Sequence, residues 1–162
     1  MKPDNLLLGI HKKAHIVYLV DMGLAKKYMK DGKHIPYKEG KELTGTARYA
    51  SIATHRGYEQ SRRDDIESIG YVLMYFLRGI LPWQNMKAKS TKEKYNLIMN
   101  KKISTPIDVL CDKYPEEIGK LIYYARNLKF EEKPDYDYLR NLIKSAIKRL
   151  DIKIDYAYDW DK

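Results

Sequence analysis

Asn5 and Asp21 carry oxygen atoms that could bind a metal ion, and two apolar segments lie between them. Leu6–Leu8 and the β-branched, aromatic run from His15 to Val20 are typical of two strands joined by a turn. In an antiparallel pair, the residue before the first strand and the residue after the second lie at the same end. This predicts a site for Mg²⁺, which binds one or two protein oxygens and completes its shell with water and phosphate oxygens. Turn capping is the alternative role for both side chains, and their spacing alone favours it.

The chain has 162 residues and a net charge of +9, from 31 lysines and arginines against 22 aspartates and glutamates. This excess favours acidic partners such as nucleic acid, an anionic membrane or phosphorylated proteins, and a lysine-rich solubilising surface explains it equally well. The 15 tyrosines are scattered through predicted helices, not arrayed on a sheet where bases could stack. Nucleic-acid binding is therefore disfavoured.

Cys111 is the only cysteine, which excludes a disulfide within the chain and a zinc site of cysteine type. This usage favours a reducing compartment, the cytoplasm or the nucleus. The apolar neighbours of Cys111 indicate a buried structural thiol. No apolar run approaches the roughly 18 residues of a membrane span, so a membrane partner is not expected.

Beyond the first hairpin, the pattern predicts a mainly α (α+β) domain. Residues 24–60 contain four glycines, one proline and few periodic apolar residues, which indicates a long functional loop. Apolar residues surround the segment from Ile66 to Leu77, as in a buried central helix. Capping and proline signals place further helices at Thr91–Lys101 after a capping box, after Pro106, at Pro115–Leu128 and at Tyr136–Leu150.

The last segment, residues 151–162, alternates apolar and polar residues and is predicted to be extended and to lie on the helices. Its apolar positions are Ile152, Ile154, Tyr156, Tyr158 and Trp160. The organisation expected from these patterns is 1–23 for the hairpin region, 24–60 for the long loop, 61–150 for the helical core and 151–162 for the tail.

Two short motifs resemble those of protein kinases. Lys2-Pro3-Asp4-Asn5 is similar to the end of the catalytic loop, in its serine/threonine form, and Asp21-Met22-Gly23 is similar to D-F-G. The runs LTGTARYASIATH, EQSRRDDIESIGYVLMYFLRGILPW, STPIDVLC and KPDYDYLRNL resemble the casein kinase 1 family along the whole chain. The resemblance implies the C-terminal lobe of a kinase domain, with the hairpin at the active-site end. It also implies transfer of the ATP γ-phosphoryl group to Ser or Thr of acidic or phosphorylated protein substrates.

The resemblance further implies which positions bind the nucleotide. Asn5 and Asp21 would hold Mg²⁺ on the ATP phosphates. Lys2 would stabilise the transferred phosphoryl group through its fixed positive charge. Leu7 would form the floor of the adenine pocket, and Val20 would line it.

Other matching positions would act on the substrate or support the loop. Thr46 would hydrogen-bond near Lys2 at the transferred group. Arg48 is the strongest candidate for a substrate anion, because a guanidinium binds phosphate through a fork of donors. Asp65 would hold the catalytic-loop backbone from the head of the central helix. The remaining candidate anion contacts are Lys26, Lys41 and Lys94.

The sequence departs from the family pattern in four places. Met22, Ala53 and Asn85 replace a phenylalanine, an asparagine and a glycine. The catalytic aspartate of the family lies five residues before the position of Asn5, and no G-x-G-x-x-G occurs in the chain. Since the missing base alone costs about 10²–10⁴ in rate, we expect this chain by itself not to be a competent kinase and to bind ATP weakly or not at all.

Two consequences follow from these departures. The chain would expose an apolar surface where an N-terminal lobe packs in a kinase, so that lobe is an expected partner. The alternative function is a non-catalytic module that binds acidic or phosphorylated proteins through the same basic residues.

Overall fold

Two small antiparallel hairpins and six helices form the part of the chain that the computed structural model describes, residues 1–156 and 158. The fold is mainly helical, as predicted. The strands are β1 (Leu6–Leu8), β2 (Val17–Leu19), β3 (Met29–Lys30) and β4 (Lys33–His34). The helices are α1 (Ile52–His55), α2 (Arg62–Arg78), α3 (Thr91–Ser104), α4 (Ile107–Leu110), α5 (Glu116–Asn127) and α6 (Tyr136–Arg149).

The first hairpin forms where the sequence predicts it. β1 and β2 are antiparallel, with Leu6 opposite Leu19 and Leu8 opposite Val17. Leu6 packs against the helical core, but the other strand residues are largely exposed, Leu7 at 50% and Val17 at 57%. The first hairpin therefore presents an exposed apolar surface.

α2 is the central helix of the core, and α5 packs directly against it. Tyr71 and Met74 of α2 and Ile122 of α5 are fully buried. The two helices approach closely at Gly70, where an added Cβ would overlap Ile122 Cγ1. Phe76 at the end of α2 is 58% exposed, so the burial expected around the whole helix fails in its last turn.

An N-cap hydrogen bond and an ion pair stabilise the last helix, α6. Asp135 accepts a hydrogen bond from Tyr138 N at 2.8 Å and starts α6 as predicted. Arg149 near the end of α6 donates to both carboxylate oxygens of Glu117 on α5, at 2.9 and 2.7 Å. This paired hydrogen bond lowers the pKa of the buried Glu117 to about 2. It ties the two helices together wherever Glu117 is ionised.

α3 follows its prediction with one change at the start. The Ser90 side chain accepts from Glu93 N at 3.2 Å, which is one half of a capping box. The Glu93 carboxylate accepts from Lys89 N at 2.7 Å and not from Ser90, so the reciprocal half is not formed. The helix runs to Ser104, one turn further than the predicted end.

The loop predicted at residues 24–60 contains short elements that the sequence analysis missed. β3 and β4 form a hairpin around Asp31 and Gly32, both with positive φ, 49° and 74°. An Asp-Gly pair is the preferred sequence for such a turn, so a signal was present. α1 begins at Ser51, whose side chain accepts from Thr54 N at 3.0 Å.

The tail reaches the first hairpin. The rings of Tyr156 and His15 lie 5.4 Å apart, and Tyr158 donates to Ala14 O at 3.1 Å. This contact was not predicted. Ile152 and Ile154 remain exposed, and Trp160 lies outside the described residues. None of the helices within the described range is long and apolar enough to span a membrane.

The close approach of α2 and α5 gives a stability prediction. Gly70→Ala should destabilise the fold by about 1–3 kcal/mol, because the added methyl overlaps a buried branched side chain whose neighbours leave no room for it to move. Gly119→Ala in α5 is the matched control, since its Cβ would lie 3.3 Å from Ile107 Cγ2 and 3.4 Å from Cys111 Sγ. The control should be unchanged or up to ~1 kcal/mol more stable. Urea unfolding measures both, and equal stability of the two variants would contradict the packing described.

Candidate functional site

The register of the first hairpin places Asn5 and Asp21 at the same end, as predicted. Val20 N donates to Asn5 O at 3.0 Å, directly beyond the pairing of Leu6 with Leu19. Asp21 is exposed and has a left-handed backbone, φ 62°. Its Oδ1 accepts from Gly23 N at 3.3 Å. One carboxylate oxygen therefore caps the turn, while Oδ2 has no partner among residues 1–156.

The donor set at this end fits a hard cation. The Asn5 amide and the Asp21 carboxylate offer oxygens, which Mg²⁺ prefers, and two protein ligands leave the other positions to water and phosphate. In the described residues, no group of three or more His, Cys, Asp or Glu side chains forms a self-contained metal cage. Lys2 lies one turn before Asn5, whose N–H donates to Lys2 O at 3.1 Å. The hairpin end thus carries two side chains with oxygen donors, and Lys2 lies one turn earlier in the chain.

A second cluster surrounds residues 46–51, called here the substrate loop after the substrate contacts that the resemblance implies for Thr46 and Arg48. Tyr49 N and Ala50 N both donate to Thr46 O, at 2.9 and 3.1 Å, which closes a tight turn. Arg48 is exposed in this turn, and its Nη1 donates to Tyr49 Oη at 3.3 Å. Its guanidinium lies 5.7 Å from the centre of the Tyr75 ring. An exposed guanidinium on a well-held loop is a suitable donor for an anion.

Lys102 of α3 is fully buried beneath this loop. Its ammonium donates to Ala47 O at 2.8 Å and to Ala50 O at 2.5 Å, and lies 3.1 Å from Nε2 of His55. These four residues are called here the Lys102 cluster. The lysine therefore joins α3 to the carbonyls that flank Arg48.

The surroundings of Lys102 explain its acid–base state. Its Nζ lies 4.9 Å from the centre of the Tyr71 ring and 5.3 Å from that of Trp83, positions that favour a cation. Burial acts in the opposite sense and lowers the pKa of Lys102 to about 7. Burial, followed by the charge of Lys102, lowers the pKa of His55 to about 4, so this imidazole is neutral near pH 7.

α2 binds the start of α1 through two buried carboxylates. Ser51 donates to Asp64 Oδ1 at 2.5 Å, and Asp64 Oδ2 accepts from Ser61 N at 2.8 Å. Ile52 N donates to Glu67 Oε1 at 3.3 Å. Glu67 also accepts from the Tyr71 hydroxyl at 2.5 Å. The substrate loop is thus fixed to α2 at its end and to α3 at its centre.

Asp65 lies in the first turn of α2, the head of the central helix, where it interacts with the charged N-terminus of the chain. Its side chain makes no hydrogen bond within the described part of the chain. The link from α2 to the segment carrying Lys2 is made by Ser68, whose hydroxyl donates to Met1 O at 3.2 Å. The neighbouring Asp64 makes the structural hydrogen bonds.

The candidate anion-binding lysines lie in two places. Lys26 and Lys41 both pair with the carboxylate of Glu59, Lys41 at 3.6 Å and Lys26 through a hydrogen bond. The hydrogen bond from Lys26 lowers the pKa of Glu59. Lys94 is exposed in the first turns of α3, with no ion-pair partner among residues 1–156. An acidic substrate would have to compete with Glu59 for the first two lysines.

Three functional candidates were missed by sequence reasoning: Lys102, His55 and Trp83. Lys102 follows Ile98 by four residues and shares its buried face of α3, so helical spacing gave a weak signal. The hydrogen bond from Trp83 Nε1 to Arg48 O, at 2.7 Å, joins segments that are distant in sequence, so no local sequence signal could have indicated it. Comparison of the sequence with models of known protein families finds no family that matches.

The buried lysine gives a pH prediction. Between pH 7 and its ordinary pKa of 10.5, Lys102 keeps its proton in the unfolded chain and has lost it in the folded one. Folding then releases a proton, so this group makes stability rise with pH, by up to ~1.4 kcal/mol per pH unit. Lys102→Met should remove the rise, and the wild-type-minus-variant difference in free energy of unfolding should grow by about 2 kcal/mol from pH 7 to 9.

Urea titrations at pH 7, 8 and 9 measure this difference. Lys101→Met, which removes an exposed lysine one residue earlier, should show a difference that does not change with pH. A flat difference for Lys102→Met as well would mean that Lys102 keeps an ordinary pKa.

Proposed function

We propose that this chain forms the metal-holding and substrate-binding lobe of a serine/threonine protein kinase of casein kinase 1 type. The observation that carries the proposal is the hairpin register, which brings Asn5 and Asp21 to one end with Lys2 one turn away. The mainly helical core and the exposed Arg48 on a fixed loop support it further. The motifs that resemble kinases supply the identity of the reaction.

The residues at the hairpin end have distinct roles in this proposal. Asn5 and Asp21 would hold Mg²⁺, which when bound would supply positive charge at the ATP phosphates. The Gly23 N–H orients the Asp21 carboxylate by binding Oδ1, which leaves Oδ2 for the ion. Lys2 would stabilise the negative charge on the transferred phosphoryl group, because a fixed positive charge lowers the energy of such a transition state.

The apolar face of the first hairpin is assigned to the adenine side of the site. Leu7 is half exposed and Val20 is partly buried, so both can contact a flat apolar ring. An exposed apolar surface of this kind favours closure by a second lobe with the nucleotide between the two. This chain contributes no glycine-rich loop, so it forms only part of the nucleotide site.

The substrate loop is assigned to acidic or phosphorylated protein substrates. Arg48 presents donors to solvent while its backbone is held by Trp83. Thr46 is exposed in the same turn and can hydrogen-bond at the acceptor hydroxyl. Lys94 and the pair of lysines at Glu59 add positive charge around it, which favours acidic sequences.

A non-catalytic binding module is the second candidate. Arg48 is held by Tyr49 of the same loop, Tyr75 of α2 and Trp83 in the turn after α2, and none of the contacts in the described structure joins it to the hairpin end. Anion binding at this position therefore does not require ATP.

The metal site can be tested with Mn²⁺, a paramagnetic ion that accepts the same oxygen ligands as Mg²⁺. With ATP and Mn²⁺, NMR signals of residues 1–5 and 19–23 should broaden first, and Asp21→Ala should abolish this local effect. Asp31→Ala is the matched control, because Asp31 is also an exposed hairpin aspartate with positive φ. Broadening that persists in Asp21→Ala would contradict the site. Mg·ATP should shift the melting temperature of the chain little or not at all, since these residues include no glycine-rich loop to enclose the phosphates.

Phosphopeptide binding tests the substrate loop. A peptide with one phosphoserine among acidic residues should bind the chain without ATP, and Arg48→Ala should weaken binding by about tenfold, as for loss of one charge-assisted contact. Added salt should weaken it further. Arg140→Ala is the control, because Arg140 is an exposed arginine of α6 that pairs only with Asp137 in the described structure. Fluorescence anisotropy gives the affinities, and equal affinity of wild type and Arg48→Ala would exclude both functions proposed for the loop.

A further inference from the structure

We propose that Lys102 is a positioning residue that fixes the substrate loop, and with it Arg48, in the conformation that binds a substrate anion. The inference rests on the proposed function of Arg48. Lys102 does not touch the anion in this account. It acts through the backbone on either side of the arginine.

The geometry supports this role because the donors converge on one short stretch of chain. Lys102 binds the carbonyl before Arg48, that of Ala47, and the carbonyl two residues after it, that of Ala50. Trp83 Nε1 binds the carbonyl of Arg48 itself. Three carbonyls within four residues are therefore held by side chains from outside the loop. A loop without strand partners gains its fixed shape from such contacts.

The chemistry of Lys102 indicates that it is needed for its donors and not for its volume. A buried ammonium is costly unless hydrogen bonds and nearby charges compensate it. Methionine would fill nearly the same space without that cost, but it would leave the carbonyl of Ala50 without a side-chain donor and that of Ala47 with Nε2 of His55 alone, at 3.1 Å. A lysine at this position therefore supplies hydrogen-bond donors to the loop that an apolar side chain cannot supply.

The two carbonyls of the Lys102 cluster keep a donor in either protonation state of Lys102. Charged or neutral, the lysine has enough N–H groups to donate to both of them. Nε2 of His55 also lies 3.1 Å from Ala47 O, which can only accept, so the imidazole carries its proton on Nε2, and a neutral Lys102 can accept from it. The other charged or titratable groups around it are Glu67 and Tyr71 of α2 and Arg126 of α5, which hydrogen-bond to one another. The loop is therefore held on both sides of neutral pH.

A double-mutant cycle tests the inference on the full chain, with the phosphoserine peptide as the probe. Lys102→Met should weaken peptide binding by about tenfold, while Lys101→Met, which removes the same charge from the surface, should change it by less than about twofold. If Lys102 acts through Arg48, then Arg48→Ala should cause little further loss in the Lys102→Met background. Independent, fully additive losses would overturn the positioning role.

Two outcomes separate this inference from the proposed function. If Arg48→Ala binds the peptide as tightly as wild type, the function proposed for the loop fails. If Arg48→Ala weakens binding but a folded Lys102→Met does not, only the positioning role fails.

A measurement on the wild-type protein covers the case in which Lys102→Met does not fold. Because the loop, Lys102 and His55 form one hydrogen-bonded unit, peptide binding at Arg48 should shift the ring ¹⁵N signals of His55. The shift should be absent in Arg48→Ala. Unchanged His55 signals in the saturated wild-type complex would overturn the inference.

Discussion

The buried ammonium of Lys102 is the interaction on which the arrangement of the candidate site depends. In the described structure, Lys102 is the only residue of α3 that donates hydrogen bonds to two carbonyls of the substrate loop, and its side chain is fully buried. A charge in such a place is tolerated only when its donors are satisfied, so the loop and the lysine fix each other. Replacing Lys102 would leave the Ala50 carbonyl without a side-chain donor, and moving the loop away would leave the buried lysine without its carbonyl acceptors. Either change costs the desolvation free energy of an unpaired polar group.

The two parts of the candidate site are positioned by different physical means. The metal end depends on the register of a short hairpin, because backbone pairing alone brings Asn5 and Asp21 together. The substrate loop depends on side chains of α2 and α3, which reach it across long sequence separations. α2 connects both parts, since Ser68 contacts the start of the chain and Asp64 binds Ser51. This shared central helix therefore positions both parts of the candidate site relative to one another.

Local sequence patterns predict much of this fold, but they do not predict the contacts between segments that are distant in sequence. The first hairpin and the helix that begins after Asp135 follow from strand composition and capping, and both are observed. The turn at Asp31–Gly32 had a clear local signal that the surrounding polar sequence obscured. Lys102 could not be recognised, because burial of a lysine depends on acceptors supplied by a loop about fifty residues earlier. For the same reason, sequence could not show that two candidate anion-binding lysines share the carboxylate of Glu59.

The most direct test of the central claim is a crystal structure of the chain with a bound phosphoserine peptide. We expect the phosphate to lie within hydrogen-bond distance, about 3 Å, of the Arg48 guanidinium. We also expect Lys102 Nζ still to bind the carbonyls of Ala47 and Ala50 in that complex. A phosphate bound elsewhere, with the loop moved away from Lys102, would show that Lys102 does not position Arg48 for the anion.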